Sequence, residues 1–299
     1  MTAHEDPYVG APSQRLRVGR IPYVNCYPVY GGVDRGIVSM NADIVDGVPT
    51  ALNGMMADGS LDVSVVSAVE YARDWERYLL LPDLAISCDG AVRSVLLFTD
   101  RPAPELGGQR VVVSSSSMTS VYLLELLFEQ VWRAKPVFVK GEAEAIDLAD
   151  RAPEAQLRDA AGETVAARLV IGDAALMLSS GTLATPFAHM YDLGTVWKDW
   201  TGLPFVFAVW VANRTAATAE VLGVHASLIE SRNWGLANLD TLAVQASAST
   251  GVRVGACAEY LGGLDYGLSY PHLGGLTEFY RRLTVAGRVA PNRLSFIPA

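Results

Sequence analysis

Asp62-Val63-Ser64-Val65-Val66-Ser67-Ala68-Val69-Glu70 joins a β-branched run directly to a helix start. Val63, Val65 and Val66 favour a buried strand. Ser67, with Glu70 three residues later, is a capping-box pattern that opens a helix. A strand running at once into a capped helix is the signature of parallel α/β architecture. It leaves unpaired N–H groups at the strand's C-terminal edge, where open α/β sheets bind ligands.

Upstream, the short β-prone run Leu16 to Gly19 leads into Gly19-Arg20-Ile21-Pro22-Tyr23-Val24-Asn25-Cys26-Tyr27-Pro28. Pro22 and Pro28 forbid a continuous helix across this segment, because each lacks an N–H and restricts the residue before it. The chain therefore turns at a strand's C-terminal edge. Asn25 lies between the prolines with an amide that both donates and accepts; as a plain turn residue it would need no further role. Ala42 to Val45 reads as a second strand. Pro49 to Asp58 reads as a helix, with Pro49 in its first turn and Gly59 just past its end.

Downstream, Ala91 to Thr99 is β-prone, and its alternation sets Ser94 among apolar neighbours. Arg101-Pro102-Ala103-Pro104 breaks regular structure and is the expected linker. A second α/β pattern follows. Arg110 to Ser114 is a strand, Ser115 to Ser120 a hydroxyl-rich turn, and Val121 to Trp132 a helix with an apolar face. Residues 141–167 read as helix plus surface loop, with Glu142 and Glu144 solvated. Arg168 to Asp173 is a strand running into a turn, with a helix from Ala174. Tyr191 to Trp197 reads as strand-like, with Trp197 and Trp200 as packing residues. Leu203 to Ala212 is a strong β run that crosses back into the first lobe. Beyond it the pattern is mainly helical, with a second capping box at Ser227 to Glu230 and a short amphipathic helix over Leu276 to Leu283.

The expected organisation is two α/β lobes, one inserted in the other: residues 1–15 as a disordered tail, 16–99 plus 206–299 as lobe one, and 100–205 as lobe two. The 299 residues are 51% hydrophobic and 18% charged, enough apolar material for two cores. A net charge of −9 argues against a nucleic-acid or anionic membrane surface. It leaves room for a small anion held by helix N-termini. Cys26, Cys88 and Cys257 are far apart, with neither a disulfide framework nor a zinc-site spacing, which points to a reducing, cytoplasmic setting. The first residues lack the apolar stretch of a secretory signal, and no run is long enough to span a bilayer.

Three places combine a strand end, small or hydroxyl residues and a helix start: Ser67-Ala68, Ser117 to Ser120 (with Thr119), and Gly172-Asp173-Ala174. Each alone would be an ordinary N-cap. In facing lobes they suggest an anion-binding cleft. There is no G-x-G-x-x-G, Walker, G-x-S-x-G or H-E-x-x-H motif, and the histidines have no metal-like spacing. No metal and no cofactor is expected. Asp173 and His189 are the candidate bases, and Cys26 reads as a small packed side chain.

The chain resembles the chorismate dehydratases of the futalosine route to menaquinone. The resemblance is carried by Arg20 to Asn25, Leu61-Asp62-Val63 through Ser67 to Tyr71, Gly90 through Ser94 to Phe98, Thr119-Ser120, Gly172 to Leu176, and Tyr191 to Gly194 through Trp197 to Trp210. Of these, Gly202-Leu203-Pro204-Phe205-Val206-Phe207-Ala208-Val209-Trp210 is the most specific. The resemblance implies a two-lobed fold like the type II periplasmic solute-binding proteins, with the ligand between the lobes. It implies dehydration of chorismate to 3-[(1-carboxyvinyl)oxy]benzoate. It places Asn25 and Ser94 at the substrate as catalytic groups; with the three strand ends read above, the expected substrate-binding residues are Tyr23, Ser67, Ala68, Ser117, Thr119, Ser120, Gly172 and Asp173. The substrate's own enolpyruvyl carboxylate is then the expected proton acceptor. The alternative is a non-catalytic carboxylate-binding protein of the same fold. A sister enzyme of the same pathway would need a dedicated base such as a cleft histidine, and a transcription regulator would need a helix-turn-helix domain for which little chain precedes Arg17.

Overall fold

The computed structural model describes residues 15–115, 117–141 and 157–298. The expected tail, apart from Arg15, and the solvated Glu142 and Glu144 lie outside the described residues. β1 (Leu16–Arg20) leads through a 3-10 turn at Val24–Cys26 into α1 (Tyr27–Asp34). β2 (Ala42–Asp46), α2 (Pro49–Ala57), β3 (Val63–Ser67), α3 (Ala68–Arg73) and the long β4 (Tyr78–Cys88) follow. Next come β5 (Val95–Thr99), β6 (Arg110–Ser114), α4 (Thr119–Leu127) with a π turn at Phe128–Trp132, β7 (Val137–Gly141) and β8 (Ala167–Ile171). α5 (Gly172–Ser179), β9 (His189–Asp192) and α6 (Leu193–Thr201) precede β10 (Phe205–Asn213). Four helices close the chain: α7 (Thr218–Ala237), α8 (Leu239–Thr250), α9 (Val254–Gly262) and α10 (Tyr270–Val285).

The strands form two five-stranded sheets, ordered β2-β1-β3-β10-β4 and β7-β6-β8-β5-β9. Each has three parallel strands followed by an antiparallel one: β10 runs against β3 and β4, and β5 against β8 and β9. β3, β5 and β8 are buried along their whole length, as central strands with both faces covered must be. The expected return of the chain to the first lobe is seen in β10, which pairs Trp210 with Val65 and Phe205 with Cys88. Trp210 is fully buried, and its indole donates to the Tyr30 hydroxyl at 3.2 Å. Among the described residues no helix is long and apolar enough to cross a membrane.

Several sequence expectations are corrected. Val95–Thr99, assigned to the first lobe, is hydrogen-bonded in the second sheet, so the crossover lies between Cys88 and Val95. Arg101 to Pro104 is accordingly not a linker between lobes; it joins two strands of the second sheet. Tyr191 to Trp197 is only partly a strand. Asp192 ends β9 and caps α6, accepting the Thr195 N–H at 3.1 Å, and Trp197 is a buried helical residue donating to the Pro204 carbonyl at 3.1 Å. Ser227 starts no helix: it lies inside α7, and its hydroxyl donates to the carbonyls of Ser39 and Gly223. The helix around Leu276 is longer than expected and spans Tyr270–Val285.

At the opening stretch the capping box is half made. Ser67 Oγ accepts the Glu70 N–H at 3.4 Å. The Glu70 carboxylate does not return to the cap; it accepts from the Tyr78 hydroxyl at 3.3 Å, and its burial raises its pKa.

Candidate active site

The C-terminal ends of the parallel strands in both sheets open onto one cleft. Its empty space, open mouth included, is about 620 Å³. The walls are largely apolar, with Ile21, Ile86, Val92, Ile171 and Phe207 among them. Polar side chains on the wall include those of Tyr23, Asn25, Ser67, Ser94, Ser117, Thr119 and Ser120. Among the described lining residues there is no lysine, arginine, histidine, aspartate or glutamate. Positive potential comes instead from backbone: α2 begins at Pro49, α4 at Thr119 and α5 at Gly172, and all three residues line the cleft. Helix N-termini carry about half a positive charge and point unpaired N–H groups outward.

Asn25 sits in the 3-10 turn after β1, which runs directly into α1; the expectation that Pro22 and Pro28 would keep this segment non-helical is corrected, because Pro28 falls in the first turn of α1, where a missing N–H costs nothing. Its Oδ1 is buried and has no hydrogen-bond partner among the described residues. A buried amide oxygen without a partner carries a desolvation penalty that a bound donor would remove.

Ser94 lies in the crossover between the sheets and is 3% exposed. Its carbonyl accepts the Gly172 N–H at 2.8 Å, and its Oγ accepts the Tyr260 hydroxyl at 2.8 Å. The crossover backbone is held by Asp192, whose carboxylate accepts the Val92 N–H at 3.1 Å and the Arg93 N–H at 2.7 Å. Arg93 itself adopts a left-handed conformation (φ 61°), a strained choice for a non-glycine residue that these bonds hold in place.

Hydrogen bonds tie the two lobes across the cleft. Val24 N–H, beside Asn25, donates to Asp173 Oδ1 at 3.0 Å. Val69 N–H, in the first turn of α3, donates to Thr119 Oγ1 at 3.1 Å. Tyr23 packs on Gly172, which has φ +64°. A Cβ at that position would meet the tyrosine ring at 3.1 Å, so glycine serves both the conformation and the close approach. Burial pushes the Asp173 carboxyl up to about 6, against the pull of the Val24 N–H. Burial, with Asp173 adding to it, pushes the Cys26 thiol up to about 12, which keeps it protonated and unreactive at neutral pH.

With this geometry in hand, comparison with known proteins decides the family. A family profile described as menaquinone biosynthesis matches residues 16–284. The chain belongs to this menaquinone-biosynthesis family. Within it, the chain is 31% identical over 255 residues to the chorismate dehydratase of Thermus thermophilus, covering 80% of this chain and 86% of that one. Among solved structures, a protein of Archaeoglobus fulgidus superposes with a TM-score of 0.72 at 19% identity, covering 93% of this chain and 100% of the other. The periplasmic aliphatic sulphonate binding protein of Escherichia coli superposes with a TM-score of 0.59 at 14% identity, covering 95% and 94%. These two likenesses show the fold, which is the two-lobed α/β arrangement of periplasmic binding proteins.

In this family member, the structure gathers Tyr23, Asn25, Ser67, Ser94, Ser117, Thr119, Ser120 and Gly172 on the cleft wall. Ala68 is not part of the wall. It opens α3, and its carbonyl accepts the Tyr280 hydroxyl at 2.6 Å. Asp173 is likewise not a lining residue; its carboxylate is turned to the Val24 N–H. His189, a candidate base, lies on the edge strand β9 opposite Thr99 and does not line the cleft. Sequence reasoning missed Tyr260 and Asp192. Asp192 followed three residues later by Thr195 carried a cap signal that the strand-like reading of Tyr191 to Trp197 obscured. Tyr260 carried none, being brought to Ser94 only by the packing of α9.

Proposed function

We propose that the chain is a carbon–oxygen lyase that dehydrates chorismate to 3-[(1-carboxyvinyl)oxy]benzoate, with the enolpyruvyl ether retained. The observation that carries this reading is a cleft with an unpartnered amide oxygen and a buried hydroxyl, several helix starts, and no acidic or basic side chain among its described lining residues. Membership of the menaquinone-biosynthesis family and the likeness to a chorismate dehydratase support it.

Chorismate is a dianion, and the helix starts at Thr119 and Gly172 offer N–H groups for its carboxylates without burying a cationic side chain. The reaction removes the C3 proton and the C4 hydroxyl, and the ring becomes aromatic. Aromatisation makes the step strongly favourable, so the protein has to select this elimination rather than drive it. Asn25 Oδ1 accepts the hydrogen of the C4 hydroxyl and orients it, and the Ser94 hydroxyl donates to the departing oxygen. The enolpyruvyl carboxylate of the substrate takes the C3 proton, which fits a wall without a protein base. Holding that carboxylate against C3 is a proximity effect, and intramolecular positioning can supply many orders of magnitude in rate.

The test is direct. The purified chain is incubated with chorismate and followed by ultraviolet absorbance and proton NMR beside an enzyme-free control. A meta-substituted benzoate with both vinyl protons intact supports the reading. Binding of chorismate without turnover would replace it with a non-catalytic carboxylate-binding protein, and neither binding nor turnover would remove chorismate altogether.

A further inference from the structure

We infer that Tyr260 is a positioning residue that commits the Ser94 hydroxyl to donate its proton into the cleft. The inference rests on the reading of Ser94 as a substrate-facing group. Tyr260 lies on α9, 166 positions from Ser94 in sequence, and its hydroxyl donates to Ser94 Oγ at 2.8 Å. Both residues are buried, at 1% and 3% exposure.

A serine hydroxyl has one proton and two acceptor sites. With Tyr260 occupying one acceptor site, the Ser94 proton must point elsewhere. Its internal partner is the Val92 carbonyl at 3.4 Å, a long and therefore weak bond. Any oxygen placed in the cleft within ordinary hydrogen-bond reach of Ser94 is a better acceptor. The protein thus holds a hydroxyl whose acceptor side is engaged and whose donor side is underused. That polarity suits a departing hydroxyl, which needs a donor as negative charge gathers on its oxygen. A donor that is itself accepting a hydrogen bond is also strengthened by it.

Tyr260 is suited to this task because it cannot lose its proton near neutrality: burial raises its pKa far above the usual phenolic range. Its position is fixed from the helix side as well. The Arg93 guanidinium donates to the Glu259 carbonyl at 2.8 Å, tying the residue before Tyr260 to the residue before Ser94. The two hydroxyls therefore sit on backbones that are themselves linked.

The test compares Tyr260→Phe, Ser94→Ala and the double variant in chorismate turnover, with thermal unfolding recorded for each. Tyr260→Phe should lower kcat by about three- to tenfold, the worth of one neutral hydrogen bond, with KM changed by less than about twofold. In the Ser94→Ala background the same substitution should change nothing further, because its effect passes through Ser94. Should Tyr260→Phe not fold, 3-fluorotyrosine at position 260 gives the same test: it should shift kcat beside Ser94 and leave the Ser94→Ala variant unmoved. A loss that multiplies fully with Ser94→Ala, or one confined to KM, would overturn the role of Tyr260 while leaving the chorismate reading intact. A Ser94→Ala variant with wild-type kcat/KM, or a wild type that does not turn over chorismate, would overturn that reading and the role of Tyr260 with it.

Discussion

Asp173 accepts the Val24 N–H at 3.0 Å, so a carboxylate at the start of α5 in one lobe is tied to the turn that carries Asn25 in the other. The bond spans the cleft without lining it. Any motion that separates the lobes must break it, and its strength depends on the charge of a carboxyl whose burial holds its pKa near about 6. Any separation of the lobes would therefore be linked to the protonation of Asp173.

Two opposite pH effects follow from that carboxyl. A folded pKa of about 6 against an ordinary 3.8 means that the proton is bound more tightly in the folded chain. Its contribution to stability is full below about pH 4 and is lost as pH rises through about 6. Asp173→Asn should therefore gain stability relative to wild type between pH 4 and 7, by up to about 3 kcal/mol. Urea unfolding at both pH values measures this. The charge-assisted bond runs the other way: wild-type kcat/KM should fall as pH drops through about 6, and the asparagine variant should lose that limb. An acid limb that persists in the variant would assign it to another group.

Asn25 and Ser94 present their polar atoms from different lobes' edges to one cleft. Ser94→Ala should lower kcat by about a hundredfold or more, the usual loss when a preorganised donor is removed from a developing oxyanion, and Asn25→Ala, which removes the acceptor that orients the C4 hydroxyl, should lower kcat/KM by at least about tenfold. Far-ultraviolet circular dichroism should be unchanged. Wild-type kcat/KM in both variants would remove both from the chemistry.

Thr119 opens α4 and accepts the Val69 N–H at 3.1 Å across the cleft. Thr119→Val keeps the shape and removes the acceptor, leaving a buried N–H unpaired. The penalty is about 1–3 kcal/mol and falls on the closed state. KM for chorismate should rise roughly tenfold, and small-angle scattering of the unliganded variant should show a larger radius of gyration than wild type. An unchanged KM and radius would mean that the bond does not hold the lobes together.

The fold was legible where local chemistry repeats. Val63 to Ser67 running into Ala68 announced both a central strand and a helix start, and the same pattern placed the starts of α4 and α5 two residues late, at Val121 and Ala174 instead of Thr119 and Gly172. It was illegible where the answer depends on partners. Val95 to Thr99 is an apolar strand in either lobe; only its pairing with Ala167 to Ile171 places it in the second. Ser227 to Glu230 has the residues of a capping box, but the helical pattern around it is continuous, so the backbone N–H groups there are already satisfied. The strand ends at Ser67, Ser117 to Ser120 and Gly172 were legible as helix starts and do line one cleft; each alone reads as an ordinary cap, and Asn25 and Ser94 became candidates only through the family resemblance. Tyr260 was not legible, since a tyrosine on an amphipathic helix reads as core whether or not its hydroxyl finds a partner.

Gly172 gives the sharpest separation of backbone strain from site geometry. It has φ +64°, and a methyl group there would lie 3.1 Å from the Tyr23 ring. Its N–H also donates to the Ser94 carbonyl at 2.8 Å, so any shift of Gly172 is passed to Ser94. Gly181 has the same kind of backbone, with φ +72°, but nothing within 4 Å of an added methyl. Alanine at either position costs about 1–2 kcal/mol of stability for a left-handed non-glycine residue, seen as a fall of a few degrees in Tm. Only Gly172→Ala must also shift the Tyr23 ring, because the α5 backbone cannot yield without moving Ser94. Gly181→Ala should keep wild-type kcat and KM, while Gly172→Ala should lose at least about tenfold in kcat/KM at a temperature where both are folded. Equal activity in the two variants would show that Tyr23 can give way freely, and that its packing against Gly172 does not set the geometry of the site.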